Sequence, residues 1–284
     1  MISKDKKFLV IGLGLIGGSF AMGLKKAGYE IGAIDIDGDN IFYALSNNII
    51  DSGTTVVEKT YLEDFDIVIM CLYPAKEYEW LKMYQDLFKP GTLIFDVAGV
   101  KGENALKIRE IIRDDIQMVF AHPMAGREVS GVINSDDTIF KKANFIIVPS
   151  EKNTKEALSV VEEVGKILDF KKISYLSIAE HDEMIGFVSQ LTHVIAISLM
   201  TCNNDSNLQD YTGDSFRDLT RIAKINENMW TELFIENKKE LANKIDEFIK
   251  QMEYIKSLVN NEDDVKLKEV MRYSTNRRKL FDKE

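Results

Sequence analysis

Between Lys7 and about Ser177, short apolar runs alternate with stretches in which apolar residues recur every three or four positions. That alternation is the mark of strand, helix, strand units and a mostly parallel sheet. Strands are expected at Phe8–Ile11, Glu30–Ile34, Asp66–Leu72, Thr92–Asp96, Gln117–Phe120, Asn144–Val148 and Lys172–Tyr175. Beyond Ala179 no strand-like run bounded by turn residues occurs, and long segments rich in Glu, Lys, Leu and Ile take over. The pattern predicts a sheet domain over residues 1–177 and an all-helical domain over 178–284.

Two segments of the helical half bear on assembly. Over Glu183–Met200, residues Ile185, Phe187, Val188, Leu191, Val194, Ile195, Ile197, Leu199 and Met200 make a helix apolar on nearly every face, which has to be surrounded by protein. Further on, Leu241, Ile245, Phe248, Met252, Ile255 and Val259 recur at steps of four and three and form a seam that wants a partner helix. Packing within one chain would satisfy both; a homodimer built on these helices is the favoured expectation. No later stretch reads as apolar and long enough to span a bilayer. Near the start, Lys4, Lys6 and Lys7 precede an uncharged run from Phe8 to Leu24 that imitates a secretory signal. Glycines at 12, 14, 17 and 18 interrupt it, and the sheet pattern that follows makes it the first unit of a folded domain.

With 284 residues, 45% of them apolar, the chain has material for two domains with genuine cores. Its formal net charge of −10 gives no general attraction for phosphate backbones or anionic lipid, so roles on nucleic acid or at a membrane surface are disfavoured. An anionic substrate must then meet a local Arg or Lys. Cys71 and Cys202, the two cysteines, lack CxxC or Cys/His ligand spacing, so neither a disulfide framework nor a metal site is expected and a reducing cytosol fits.

Gly12-Leu13-Gly14-Leu15-Ile16-Gly17 follows the first apolar run directly and opens a helix through Phe20 and Leu24. In that context Gly12 allows a tight turn, and Gly14 lets the backbone amides around Leu15 and Ile16 approach a pyrophosphate. Gly17 lets helix and strand pack closely, and the helix N-terminus adds partial positive charge. The second strand ends in Asp35, about 20 residues on, where a carboxylate suits the ribose hydroxyls of an adenosine. It would repel a 2′-phosphate, and no Arg follows in Ile36-Asp37-Gly38-Asp39, so NAD is predicted over NADP. Asp35 as a plain turn carboxylate is the alternative. The expected fold class is therefore α/β, with an N-terminal Rossmann-type dinucleotide-binding domain and an all-helical C-terminal dimerisation domain.

His122 stands just past the end of a predicted parallel strand, where open sheets bind ligands, and Pro123 holds it extended. A turn histidine and a catalytic base are both open on these grounds. Further segments follow the glycine turn in order: Asp96-Val97-Ala98-Gly99-Val100-Lys101-Gly102, His122-Pro123-Met124-Ala125-Gly126-Arg127-Glu128, His181-Asp182, Ser189-Gln190-Leu191-Thr192-His193 and Phe216-Arg217-Asp218-Leu219-Thr220-Arg221-Ile222-Ala223. Together they resemble the prephenate dehydrogenase family over most of the chain. The resemblance implies oxidation and decarboxylation of prephenate on the way to tyrosine. By it, His122 accepts the hydrogen bond of the C4 hydroxyl, Arg221 binds a substrate carboxylate, and His193 shapes the pocket.

Glu128 is expected to pair with Arg221 when the site is empty, and His181 is expected to be structural. A structural role for His193, as a buried polar group that needs a partner, also stays open. Two departures from the family stand out: Gly99 replaces a serine that many members carry, and Gln190 replaces a histidine. Water, a backbone group or Lys101 is expected to serve for the missing hydroxyl, or turnover to be slow. Arogenate oxidation and a non-catalytic NAD-binding dimer are the competing readings. A β-hydroxyacid dehydrogenase would need a lysine motif in the helical domain, and none is evident.

Overall fold

The computed structural model describes residues 1–281. Its centre is an eight-stranded sheet in the order β3-β2-β1-β4-β5-β6-β7-β8. The strands are β1 Lys7–Ile11, β2 Glu30–Ile34, β3 Ser52–Thr54, β4 Ile67–Met70, β5 Leu93–Asp96, β6 Gln117–Pro123, β7 Asn144–Val148 and β8 Lys172–Tyr175. All seven expected strands are present. The additional one, β3, is Ser-Gly-Thr, too short and too polar to show an apolar run; pairing with β2 makes it a strand. Every pairing is parallel except β6 with β7.

Helices α1 Leu15–Lys26, α2 Gly38–Ser46, α3 Lys59–Leu62, α4 Pro74–Tyr84, α5 Gly102–Ile111 and α6 Lys155–Ile167 fall between the strands. The inner strands are apolar on both faces because both faces are covered. Along β1, Phe8 and Val10 join one core while Leu9 and Ile11 join the other. On the first face Phe20 of α1 meets Phe140 at 4.7 Å between ring centroids, and Phe170 stacks on Phe145 at 4.7 Å. Burying each such ring stabilises the fold by roughly 1.5–3 kcal/mol. The chain leaves β1 towards β2 and then returns to lay β4 on its other side, so the carboxyl ends of β1 and β4 flank a topological switch point.

After β8 the described chain is helical: α7 Ile178–Ile185, a π-helical turn Gly186–Gln190, α8 Leu191–Thr201, α9 Asp214–Thr220, α10 Glu227–Glu236, α11 Lys238–Asn260 and α12 Asp264–Arg278. Ser177 starts this run with a capping box to Glu180. The chain divides into two compact units, Met1–Asn237 and Lys238–Glu284. In the second, α11 packs on α12, with Leu241 and Leu258 buried and Met252 and Val259 of the expected seam exposed.

The expectation that no later stretch could span a bilayer does not hold by length and composition. Ile178–Thr201 forms one helix of 24 residues whose most apolar window has a mean hydropathy of 1.5. Its polar residues, His181, Asp182, Gln190 and His193, are spread along it without raising its charge enough to disqualify it. Only 28% of that window is buried within this chain, and Phe187 is 53% exposed.

Candidate active site

At the carboxyl end of β1, Gly12 takes φ +95°, a conformation that favours glycine. A Cβ there would lie 2.6 Å from the Cys71 carbonyl oxygen. A Cβ on Gly17 would collide with the Gly12 carbonyl oxygen, whereas Gly14 faces open space. The middle glycine is thus the point of free approach to the N-terminus of α1, as a pyrophosphate requires. The Asp35 carboxylate accepts the Leu13 amide at 2.6 Å and the Asp37 amide at 2.8 Å. It ties the glycine turn to the end of β2 and keeps spare lone pairs for ribose hydroxyls. These residues fit NAD.

The second group of residues forms a chain of hydrogen bonds. Asp182 accepts the backbone amides of Lys101 at 3.0 Å and Gly102 at 2.6 Å; against the effect of burial, the His181 imidazole first and then these amides hold its carboxyl below the usual carboxylate range. As an ionised acceptor it takes the proton-bearing Nδ1 of His181, 2.7 Å away. Burial keeps His181 below the ordinary histidine range, so its Nε2 is a bare acceptor. His122 Nδ1, 2.9 Å from that Nε2, must then carry the hydrogen and donate it. The tautomer of His122 is fixed by this inference, and its Nε2 lone pair is left for a ligand. Burial first, then His181 and Lys101, push His122 far below the ordinary histidine range. A Cβ on Gly99 would lie 3.8 Å from that Nε2 and 3.5 Å from Leu233 of α10.

His181 was expected to be structural; in the structure it is the link that orients His122. Sequence inspection had no signal for this, because the contact spans the sheet and α7. Lys101 does not stand in for a serine hydroxyl at position 99. Its ammonium is buried and engaged by Asp96 at 2.5 Å, the Ala121 carbonyl at 2.6 Å and the Ala98 carbonyl at 3.0 Å.

A third group gathers around α8 and α10. His193 Nδ1 donates to the Ser189 carbonyl at 2.8 Å, inside the π-helical turn, and its ring stacks on Trp230 with centroids 3.5 Å apart. Arg221 forms an ion pair with Glu128, and both exert their charge on His193. His122 and this cluster meet through α10, which brings Leu233 to Gly99 and Trp230 to His193. Gln190 is buried, donates to the Leu233 carbonyl at 2.7 Å and accepts from Asn237 at 2.8 Å, so it braces α10 instead of facing a ligand. Trp230 was missed in the sequence because an aromatic residue on a helix reads first as core.

A dinucleotide turn at the switch point and a neutral, oriented imidazole among polar groups past the same sheet edge define an NAD-dependent oxidoreductase. Two family models match the chain, "Prephenate dehydrogenase, nucleotide-binding domain" over residues 20–172 and "Prephenate dehydrogenase, dimerization domain" over 177–273. The chain belongs to the prephenate dehydrogenase family. Prephenate dehydrogenase of Bacillus subtilis is 30% identical over 268 residues, 90% of this chain and 70% of that one. Cyclohexadienyl dehydrogenase of Zymomonas mobilis is 25% identical, across 91% of this chain and 90% of that one. Among solved structures, prephenate dehydrogenase of Aquifex aeolicus in complex with hydroxyphenyl propionate and NAD+ superposes with a TM-score of 0.89 at 30% identity, covering 97% of this chain and 98% of that one.

Proposed function

We propose that this enzyme oxidises prephenate with NAD, removing the ring carboxylate as CO2 and yielding 4-hydroxyphenylpyruvate for tyrosine synthesis. It works in the cytoplasm as a homodimer, with residues 1–177 holding NAD and residues 178–284 serving substrate and dimer. The observation that carries the reading is the His122 Nε2 lone pair, held neutral and aimed by His181 and Asp182. Hydride loss from C4 requires the C4 hydroxyl to shed positive character, and a neutral imidazole accepting its hydrogen bond meets that need.

Arg221 exchanges Glu128 for a substrate carboxylate, a match to its planar guanidinium. His193, backed by Trp230, walls the ring pocket. Gly12, Gly14, Leu15, Ile16, Gly17 and Asp35 hold the cofactor, which when bound supplies the acceptor for the hydride. The uncovered apolar surface of Ile178–Thr201 and the family's dimerisation domain support the dimer.

A second reading, arogenate in place of prephenate, is favoured by the resemblance to a relative named for cyclohexadienyl substrates. Following NADH absorbance with each substrate in parallel separates the two. Faster turnover of prephenate supports the proposal, and turnover of arogenate alone overturns it. In His122→Asn protein the rate should fall by roughly 10²–10⁴ while NAD affinity holds; unchanged turnover removes His122 from its role.

A further inference from the structure

Among the described residues, the buried side-chain atoms without a hydrogen-bond partner are both carboxyl oxygens of Glu77 and Nε of Arg109. Glu77 sits in the first turn of α4 and is 1% exposed. A buried acid with no partner is costly to keep, and an apolar side chain would fill the space without that cost.

Its surroundings define its state. Asp96, at the end of β5, takes the Lys101 ammonium and the amides of Ala98 and Ala121. The Lys101 ammonium is the cation that acts on both acids, and it touches Asp96 while Glu77 has no partner. With both ionised the cluster would hold a net negative charge out of water, so Glu77 keeps its proton. Burial first, then the Asp96 charge, raises its carboxyl well above the usual range. Burial first, and then the neighbouring acids, push the Cys71 thiol up as well, so it is neutral. On the outer side of α4, Glu232 of α10 accepts the Ala75 amide at 2.8 Å, and α5 packs against α4 with Glu103 and Lys107 exposed.

The place of this proton matters. Cys71 follows β4 with its carbonyl against Gly12, Glu77 is in the first turn of the helix that comes next, and Asp96 ends β5, so the cluster lies at the carboxyl ends of β1, β4 and β5, where an open parallel sheet takes a dinucleotide. The oxidised nicotinamide ring carries a positive charge and the reduced ring none. At low effective dielectric a nearby acid responds to that difference.

We propose that Glu77 is a charge-matching group for the cofactor: its O–H bond breaks when NAD+ binds, the proton leaves to solvent, and the carboxylate stays against the ring charge, whereas NADH leaves the proton in place. This rests on NAD as cofactor and not on which ring substrate is oxidised. Charge matching favours the oxidised form and aids exchange of NADH for NAD+ between turnovers.

Calorimetric titration of the full chain near neutral pH, in phosphate and in Tris, tests the idea, because proton release appears as a buffer-dependent heat. NAD+ should release a substantial fraction of a proton and NADH almost none. In Glu77→Gln protein the release should vanish, and the preference for NAD+ over NADH should fall by about tenfold. Infrared difference spectra of the unmodified protein provide a reading independent of how the variant folds: a buried carboxylic-acid carbonyl band should disappear on adding NAD+ and persist with NADH. Equal heats in the two buffers for unmodified protein, release that survives in Glu77→Gln, or a carbonyl band unmoved by NAD+ would each overturn the assignment.

Discussion

At His122 the proposed chemistry depends on an Nε2 that carries no proton. Asp182 to His181 to His122 is a directional chain, and reversing any hydrogen in it would place an N–H where a lone pair is needed. Asp182→Asn replaces an acceptor-only carboxylate by an amide whose NH2 can face His181, so kcat should drop by about 10²-fold or more with KM little changed; a pH–rate profile of unchanged shape and height would argue against the chain. Because His122 stays neutral in the fold but takes a proton near pH 6.5 when unfolded, its contribution to stability is full above about 6.5 and is lost as pH falls below it. The acid limb of kcat should likewise lie below about 6.5. Gly99 has room for a side chain, its would-be Cβ making ordinary contacts at 3.5 and 3.8 Å. Gly99→Ser should therefore fold normally and raise kcat/KM several-fold by giving His122 Nε2 a hydroxyl neighbour; a fall in activity with intact folding would show that the open glycine is itself required.

Among the elements, α1 joins fold to function most directly. Its N-terminus faces the open approach at Gly14, while Phe20 on the same helix sits in the aromatic cluster with Phe140, Phe145 and Phe170. The loop after β6 also locks onto it, since the Asp136 amide donates to Ser19 Oγ at 3.0 Å and Ser135 Oγ donates to the Leu15 carbonyl at 3.2 Å. Phe20→Ala should cost about 3–5 kcal/mol in denaturant unfolding and weaken NAD binding at the same time. Lost stability with unaltered NAD affinity would mean that the helix end keeps its position without its packing. The π-helical turn is a second such element. It breaks the regular ladder at Gly186–Gln190, where the Ser189 carbonyl holds His193 and Gln190 braces α10.

For the molecule as a whole, the apolar length of Ile178–Thr201 is left largely uncovered by the described residues. If the proposed dimer is built on it, Phe187→Glu should give a monomer in sedimentation velocity where the unmodified protein is a dimer, and a variant still dimeric at low concentration would move the interface elsewhere. The alternation of apolar runs was enough to read seven of the eight strands and the helical second half, and the glycine spacing was enough for the turn after β1, because each depends on residues close together in the chain. His122, His193, Arg221 and Glu128 were singled out through resemblance, as short motifs. What local sequence could not carry was any relation across the fold: β3 as a strand made by its neighbour, His181 as the orienting partner of His122, Lys101 consumed by Asp96, Gln190 as a brace, and Glu77 left without a partner. Side-chain pairing between distant segments is decided by burial and geometry, which exist only once the sheet has brought those segments together.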